Sequence, residues 1–189
     1  MRRLVMLHKP YGVLSQFTDE GRWRGLASLR LGLPSDMYPV GRLDADSEGL
    51  LLLTNDNRLK TRLLDPKERH VRTYHVQVEG DPNEEQLAQL SRPMALNLKG
   101  RAFQTGGCTV RRIHPTWPAR VPPVRERKTV PDSWLEMSLT EGKNRQVRRM
   151  TAAIQCPTLR LIRVHMGPWA LGDLAPGDLR ELDLGTFPA

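Results

Sequence analysis

The chain has 189 residues, 39% of them hydrophobic, which is enough to bury a core as one domain with two lobes. Its 29 Lys and Arg against 21 Asp and Glu leave a net charge of +8, which favours a polyanionic partner such as nucleic acid without separating RNA from DNA or an anionic membrane. The only cysteines, Cys108 and Cys156, form no C-x-x-C pair; they exclude a metal cluster and a disulfide framework, and read as inert packing residues in a reducing compartment. Arg2-Arg3 is followed only by Leu4–Leu7 before His8-Lys9 interrupts, too short for a signal-peptide core or a membrane span, so the expectation is a soluble, cytoplasmic protein.

Leu4 to Leu7 predicts a strand, ended by Lys9-Pro10-Tyr11-Gly12, whose Pro and Gly fit a type II turn. Lys9 is there either a solvated turn residue or a support for a loop elsewhere. Gly21 to Pro34 carries Arg22, Trp23, Arg24 and Arg30 among leucines and reads as a basic surface turn with one short helix.

The stretch with most information is Gly41-Arg42-Leu43-Asp44-Ala45-Asp46-Ser47-Glu48-Gly49-Leu50, running into Leu51-Leu52-Leu53 and the turn residues Thr54-Asn55-Asp56-Asn57. Four leucines between glycine and an Asn/Asp cluster predict a strand buried on both faces, which anchors the polar loop before it. Asp44, Asp46, Glu48 and Gly49 imitate the first, third, fifth and sixth places of a calcium loop. The twelfth place, however, is Asn55 instead of a bidentate Glu, and Tyr38-Pro39-Val40-Gly41 is a poor entering helix, so no metal is expected. Taken alone, Asp46 reads as a turn residue and Glu48 as solvent-facing.

Beyond it, Leu59 and Leu63, between Asp56 and Asp65-Pro66, predict a short amphipathic helix with Arg58, Lys60 and Arg62 outside. Val71 to Glu79 alternates as a strand with Tyr74, Val76 and Val78 on one side. Asn83 and Gln86 have the spacing of a capping box for a helix carrying Leu87 and Leu90, closed by Pro93. His114 to Pro131 is rich in Pro and Arg and has no period. It predicts a long loop, either a disordered insertion or a surface whose Arg120, Arg125, Arg127 and Lys128 meet phosphates while Trp117 stacks on a base. Leu135, Met137 and Leu139 make another strand, leading through Gly142-Lys143-Asn144 to a helix that Asn144 could cap, with Val147, Met150 and Ile154 buried and Arg145, Arg148 and Arg149 opposite. Leu159 to Val164 predicts a further strand, and Leu174 to Leu182 a turn and a closing strand.

The string from Gly41 to Leu50 resembles the G-R-L-D-x-x-(S/T)-x-G-L signature of the pseudouridine synthases, with every fixed position filled. The resemblance extends to Lys9-Pro10-Tyr11-Gly12, to Tyr74, to Asn144-Arg145-Gln146-Val147-Arg148-Arg149-Met150 and to Leu161-Ile162-Arg163, so it covers nearly the whole chain. The version with Asn-Arg-Gln-Val-Arg-Arg-Met is similar to the branch that modifies ribosomal RNA at single sites. It implies an α+β fold of two lobes, about 1–68 and 69–189, sharing a mixed β-sheet with a central active-site cleft. In this one catalytic domain, without a separate N-terminal RNA-binding domain, RNA positioning falls to the loop from His114 to Lys128.

The resemblance also implies the site. Asp44 is the catalytic carboxylate and nucleophile, Arg148 its charge partner, and Tyr74 lies against the target base with Leu161 packing beneath it. Arg42, Lys9, Arg145, Arg149, Arg125, Arg127 and Lys128 would serve the substrate. Pseudouridine formation breaks the C1′–N1 bond, turns the base and joins C1′ to C5 without redox change, so it asks for a shielded, ionised carboxylate and for no cofactor or metal. The implied partner of this presumed monomer is 23S ribosomal RNA near the peptidyl-transferase centre, free or in a partly assembled large subunit. A non-catalytic RNA-binding protein of ribosome assembly would explain the charge equally, but not the filled motif. A glycosidase or nuclease would need a second placed carboxylate or metal ligands, and only Asp46 and Glu48 are near.

Overall fold

Alternating and apolar runs become strands, and the three amphipathic segments become helices. The computed structural model describes residues 2–98, 100–125, 127 and 129–183. In chain order the elements are β1 (Leu4–Lys9), β2 (Tyr38–Pro39), β3 (Glu48–Thr54), α1 (Asn57–Leu64), β4 (Arg72–Glu79), α2 (Glu84–Ser91), β5 (Ala95–Leu98), β6 (Arg101–Gln104), β7 (Thr109–Ile113), β8 (Asp132–Leu139), α3 (Gln146–Ala153), β9 (Thr158–Met166), β10 (Trp169–Ala170) and β11 (Leu179–Leu182). The short helix in the basic segment after β1 is a single 3₁₀ turn, Leu26–Leu29. The chain divides into two units, residues 1–70 with 163–189, and residues 71–162.

In the first unit the strand order is β11-β1-β3-β9, with β2 beside β3 and β10 beside β9. β1 pairs antiparallel with β3, Leu4 opposite Thr54 and Lys9 opposite Gly49. All seven residues of β3 are buried, and Leu50 to Leu53 expose nothing. At about 1.5–3 kcal/mol for each buried leucine, the strand carries on the order of 10 kcal/mol of gross apolar stabilisation directly after the polar loop. α1 buries Leu59 and Leu63 and is capped by Asp56, whose carboxylate accepts from the amides of Arg58 and Leu59. The closing strand β11 runs antiparallel to β1, with Leu4 opposite Leu182. That pairing corrects the expected boundary: the second lobe does not run to the end of the chain, because the last strand completes the edge of the first unit.

In the second unit β9, β4, β8 and β7 are neighbours in that order. β4 and β8 are antiparallel along their full length, Tyr74 opposite Met137 and Val76 opposite Leu135. α2 starts with the expected capping box: the Asn83 carboxamide accepts from the amide of Gln86 at 2.9 Å, and the Gln86 side chain accepts from the amide of Asn83 at 2.8 Å. Gln86 also donates to the carbonyl of Ile154 at 2.7 Å, which ties α2 to the end of α3. Two elements had no clear sequence signal, the β5–β6 hairpin, in which Leu98 pairs with Arg101, and β7 on the edge of β8. Both cysteines are free; burial pushes the Cys108 thiol up to about 12 and raises that of Cys156, as suits packing residues. Among the described residues no helix is long and apolar enough to cross a membrane.

Candidate active site

The loop carrying Asp44 is fixed by its backbone on both sides. The hydroxyl of Ser15 donates to the carbonyl of Leu43 and accepts from its amide, each at 2.9 Å. The amide of Gly12 donates to Ala45 O at 2.7 Å, and the amide of Ser47 closes a turn on Asp44 O at 3.0 Å. Gly12 has φ +82°, a conformation that glycine adopts without strain, so the Pro-Tyr-Gly turn after β1 grips the loop from the other side. Asp44 and Asp46 are half-buried, and Arg42 is exposed.

Lys9 and Glu48 both depart from the expectations for exposed charges. Lys9 exposes nothing, and its ammonium donates to the carbonyls of Pro10 at 3.0 Å and Val13 at 2.6 Å. The solvated-turn reading is therefore wrong, and a direct substrate contact does not fit a side chain held in this way; Lys9 braces the turn that holds the loop. Glu48, expected to face solvent, is 3% exposed as the first residue of the buried strand β3. The sequence hides this because β1 sets Lys9 opposite Gly49, next to Glu48, so each charge offsets the other's burial. Arg163, 3% exposed, adds a third buried charge and donates through Nε to Leu50 O at 2.8 Å.

Burial pushes the Lys9 ammonium down to about 7, against the pull of Glu48, Asp46 and Asp44, while Arg163 pushes it further down. A lysine whose folded value lies below its unfolded value of 10.5 leaves the unfolded state holding more protons between those two values. Its contribution is therefore destabilising below pH 7 and fades as pH rises. Unfolding free energy should climb from about pH 7 towards pH 10, by at most about 1.4 kcal/mol per pH unit from this group. Urea titrations of Lys9→Met beside the wild type check this, since the variant should lose that slope. Equal slopes would contradict it.

The remaining candidates lie in the second unit. Tyr74 on β4 is 9% exposed and Leu161 on the neighbouring strand β9 is 6% exposed. α3 buries Val147 and Met150, with Ile154 just beyond its end, as expected. Its start differs: Arg145 occupies the cap position with φ +52° and Asn144 is exposed. The closure comes from Gln146, whose side-chain oxygen accepts from the amide of Lys143 at 3.0 Å. Its amide nitrogen in turn donates to Glu141 at 2.6 Å, and Glu141 also takes the amide of Gly106 at 2.7 Å. Arg145 is exposed, whereas Arg148 and Arg149 are half-buried. One arm of Arg149 donates to the carbonyl of Asn97 at 2.5 Å, so it is not fully open to phosphate as expected.

From His114 to Pro131 the described residues contain no helix or strand, as the composition predicts. They are nevertheless held. The indole of Trp117 donates to Nδ1 of His75 at 3.0 Å and packs edge-on against that ring, which makes Nδ1 the acceptor and leaves the proton on Nε2, 3.3 Å from Glu136. Arg160 donates to Pro118 O at 2.8 Å, and Arg127 lies 3.3 Å from Glu79. Arg120 binds the carbonyls of Pro122 and Pro123. Trp117 thus packs against β4 through His75, a role that no local pattern could have shown. Arg125 is exposed, and Lys128 lies outside the described residues. Among the described residues no group of three or more His, Cys, Asp and Glu side chains is arranged to hold a metal ion.

Residues 3–153 match the family of RNA pseudouridylate synthases, and the chain belongs to that family of isomerases. It is 54% identical over 95% of both chains to a protein of Xanthomonas campestris pv. campestris named ribosomal large subunit pseudouridine synthase E. A protein of the same name from Vibrio parahaemolyticus is 45% identical over 97% of this chain and 75% of its own. A solved structure of a pseudouridylate synthase superposes with a TM-score of 0.77 at 24% identity, over 98% of this chain and 72% of that one, and shows the α+β pseudouridine synthase fold.

Proposed function

We propose that this protein converts a specific uridine of 23S ribosomal RNA into pseudouridine, acting as a soluble cytoplasmic monomer on free or partly assembled large-subunit RNA. The observation that carries the reading is the complete motif from Gly41 to Leu50, with the backbone bonded on both sides of Asp44. The names of the relatives from Xanthomonas and Vibrio support the substrate class.

In this reading Asp44 is the catalytic carboxylate. The C1′–N1 bond breaks, C1′ joins C5, the C5 proton leaves to solvent and N1 gains one, so atoms balance with no external donor. Arg148, by its place in the motif of α3, is the guanidinium that serves as charge partner to the Asp44 carboxylate. Tyr74 lies against the uracil and Leu161 walls the base. Extruding a uridine from structured RNA costs a few kcal/mol, supplied by phosphate contacts with Arg42, Arg145, Arg125 and, by sequence, Lys128. Lys9 serves as a support. Mapping pseudouridine across 23S RNA from cells with and without the gene tests the address: one position should lose its modification and regain it on re-expression. An unchanged profile would overturn the 23S assignment.

A further inference from the structure

We propose that Ser15 is the positioning residue of the catalytic loop, holding Asp44 in register through the backbone of Leu43. This rests on the reading of Asp44 as the catalytic carboxylate. A hydroxyl has one proton and two lone pairs, and Ser15 uses both kinds of capacity on a single neighbour: it donates to Leu43 O and accepts from Leu43 N–H, each at 2.9 Å. The side chain thus does for one residue what a partner strand does in a ladder. Both residues are buried, Ser15 at 4% and Leu43 at 7% exposure, so water does not readily replace either bond.

The hydroxyl is itself a fixed point. The amide of Leu14 donates to Arg24 O at 2.8 Å, and Gln16 O accepts from the amide of Leu26 at 2.7 Å, so the residues before and after Ser15 are tied to the segment from Arg24 to Leu26. Gly25 within that segment cannot carry a side chain: a Cβ there would lie 2.3 Å from Phe17 O and 2.5 Å from Thr18 O. The chain of contacts runs from residues 24–26 to 14–16, through one hydroxyl to Leu43, and ends one peptide from Asp44. The turn at Ala45 and Ser47 fixes the far side of Asp44 independently, so losing Ser15 frees only the near side.

The test compares Ser15→Ala and Ser15→Cys with the wild type and with Thr54→Val. Thr54 is a matched control: its hydroxyl is in the same unit, 1% exposed, and donates to Arg3 O at 2.6 Å, away from the loop. The readouts are the single-turnover rate of C5-hydrogen release from ribosomal RNA transcripts, the Kd for the same RNA, and the Tm. A displacement of about 1 Å in a reacting group costs roughly 100-fold in rate. Ser15→Ala is expected to lose about 10- to 100-fold in rate with Kd within about twofold of wild type. Ser15→Cys, which keeps a weak donor, should fall between and covers the case in which the alanine variant does not fold. Thr54→Val should lower Tm and keep its rate. Wild-type rates in the folded Ser15 variants, or a rate loss no larger than that of Thr54→Val, would overturn the proposal. Asp44→Asn run in parallel separates the two claims: if it retains activity, the reading of Asp44 fails; if it is inactive while the Ser15 variants are not, only the positioning role fails.

Discussion

Replacing Asp44 by Asn is expected to stop isomerisation while RNA affinity persists or rises slightly. Asn keeps the shape and removes the negative charge, and repulsion between that charge and phosphate disappears with it. The loop should survive, because its bonds to Ser15, Gly12 and Ser47 use backbone atoms and not the carboxylate. Lys9 should scarcely notice, since Asp44 is the weakest of the three carboxylates that act on it. Loss of a group that forms or breaks bonds lowers the single-turnover rate by roughly a thousandfold or more. Asp46→Asn should cost far less. The measurement is release of the C5 hydrogen from labelled uridine in RNA; release by Asp44→Asn at the wild-type rate would remove Asp44 from the chemistry.

Gly49→Ala is expected to be severely destabilising for a single added methyl group. Gly49 has φ +103°, and a Cβ built on it would lie 2.3 Å from the carbonyl oxygen and 2.7 Å from the nitrogen of Arg163, backbone atoms of the neighbouring strand. β3 and β9 would have to separate where Arg163 also donates to Leu50 O. Backbone strain and a forced gap together cost at least about 3 kcal/mol, enough to lower or abolish soluble yield. Gly21→Ala is the comparison: φ there is +57°, with nothing within 4 Å of an added Cβ, so only the cost of the left-handed conformation, about 1–2 kcal/mol, remains. Urea midpoints for the two variants measure the difference. Equal shifts would mean that the sheet accommodates the methyl group.

What the sequence makes legible here is what is decided locally or by burial on a strand. The Asn83–Gln86 capping box needs only four residues to form, and β3 betrays itself by having no polar side chain from Leu50 to Leu53. The candidate carboxylate was legible because its motif is contiguous. Contacts between distant segments were not. Ser15 reads as an unremarkable loop serine until the fold brings it to Leu43, and Glu48 reads as exposed until Lys9 arrives on the adjacent strand. The β5–β6 hairpin escaped for another reason: β6 is mostly exposed, so it leaves no apolar alternation to find. Asn144 looked like a cap by type, but a glutamine two residues later reaches back to the amide of Lys143 instead.

The pairing of β1 with β11 bears on how the chain is made. Every strand pair of the second unit outside β9 joins segments within residues 71–162, a stretch that leaves the ribosome as one continuous piece. β1 emerges before β3, pairs with it, and keeps its other hydrogen-bonding edge unmatched until Leu179–Leu182 has been synthesised. Until then this edge is a template for the wrong neighbour, another nascent chain included. Ribosome-bound chains halted at residue 162 should therefore cross-link to one another through β1 more readily than chains that include Leu179–Leu182 do; equal cross-linking would show that the edge is protected in some other way.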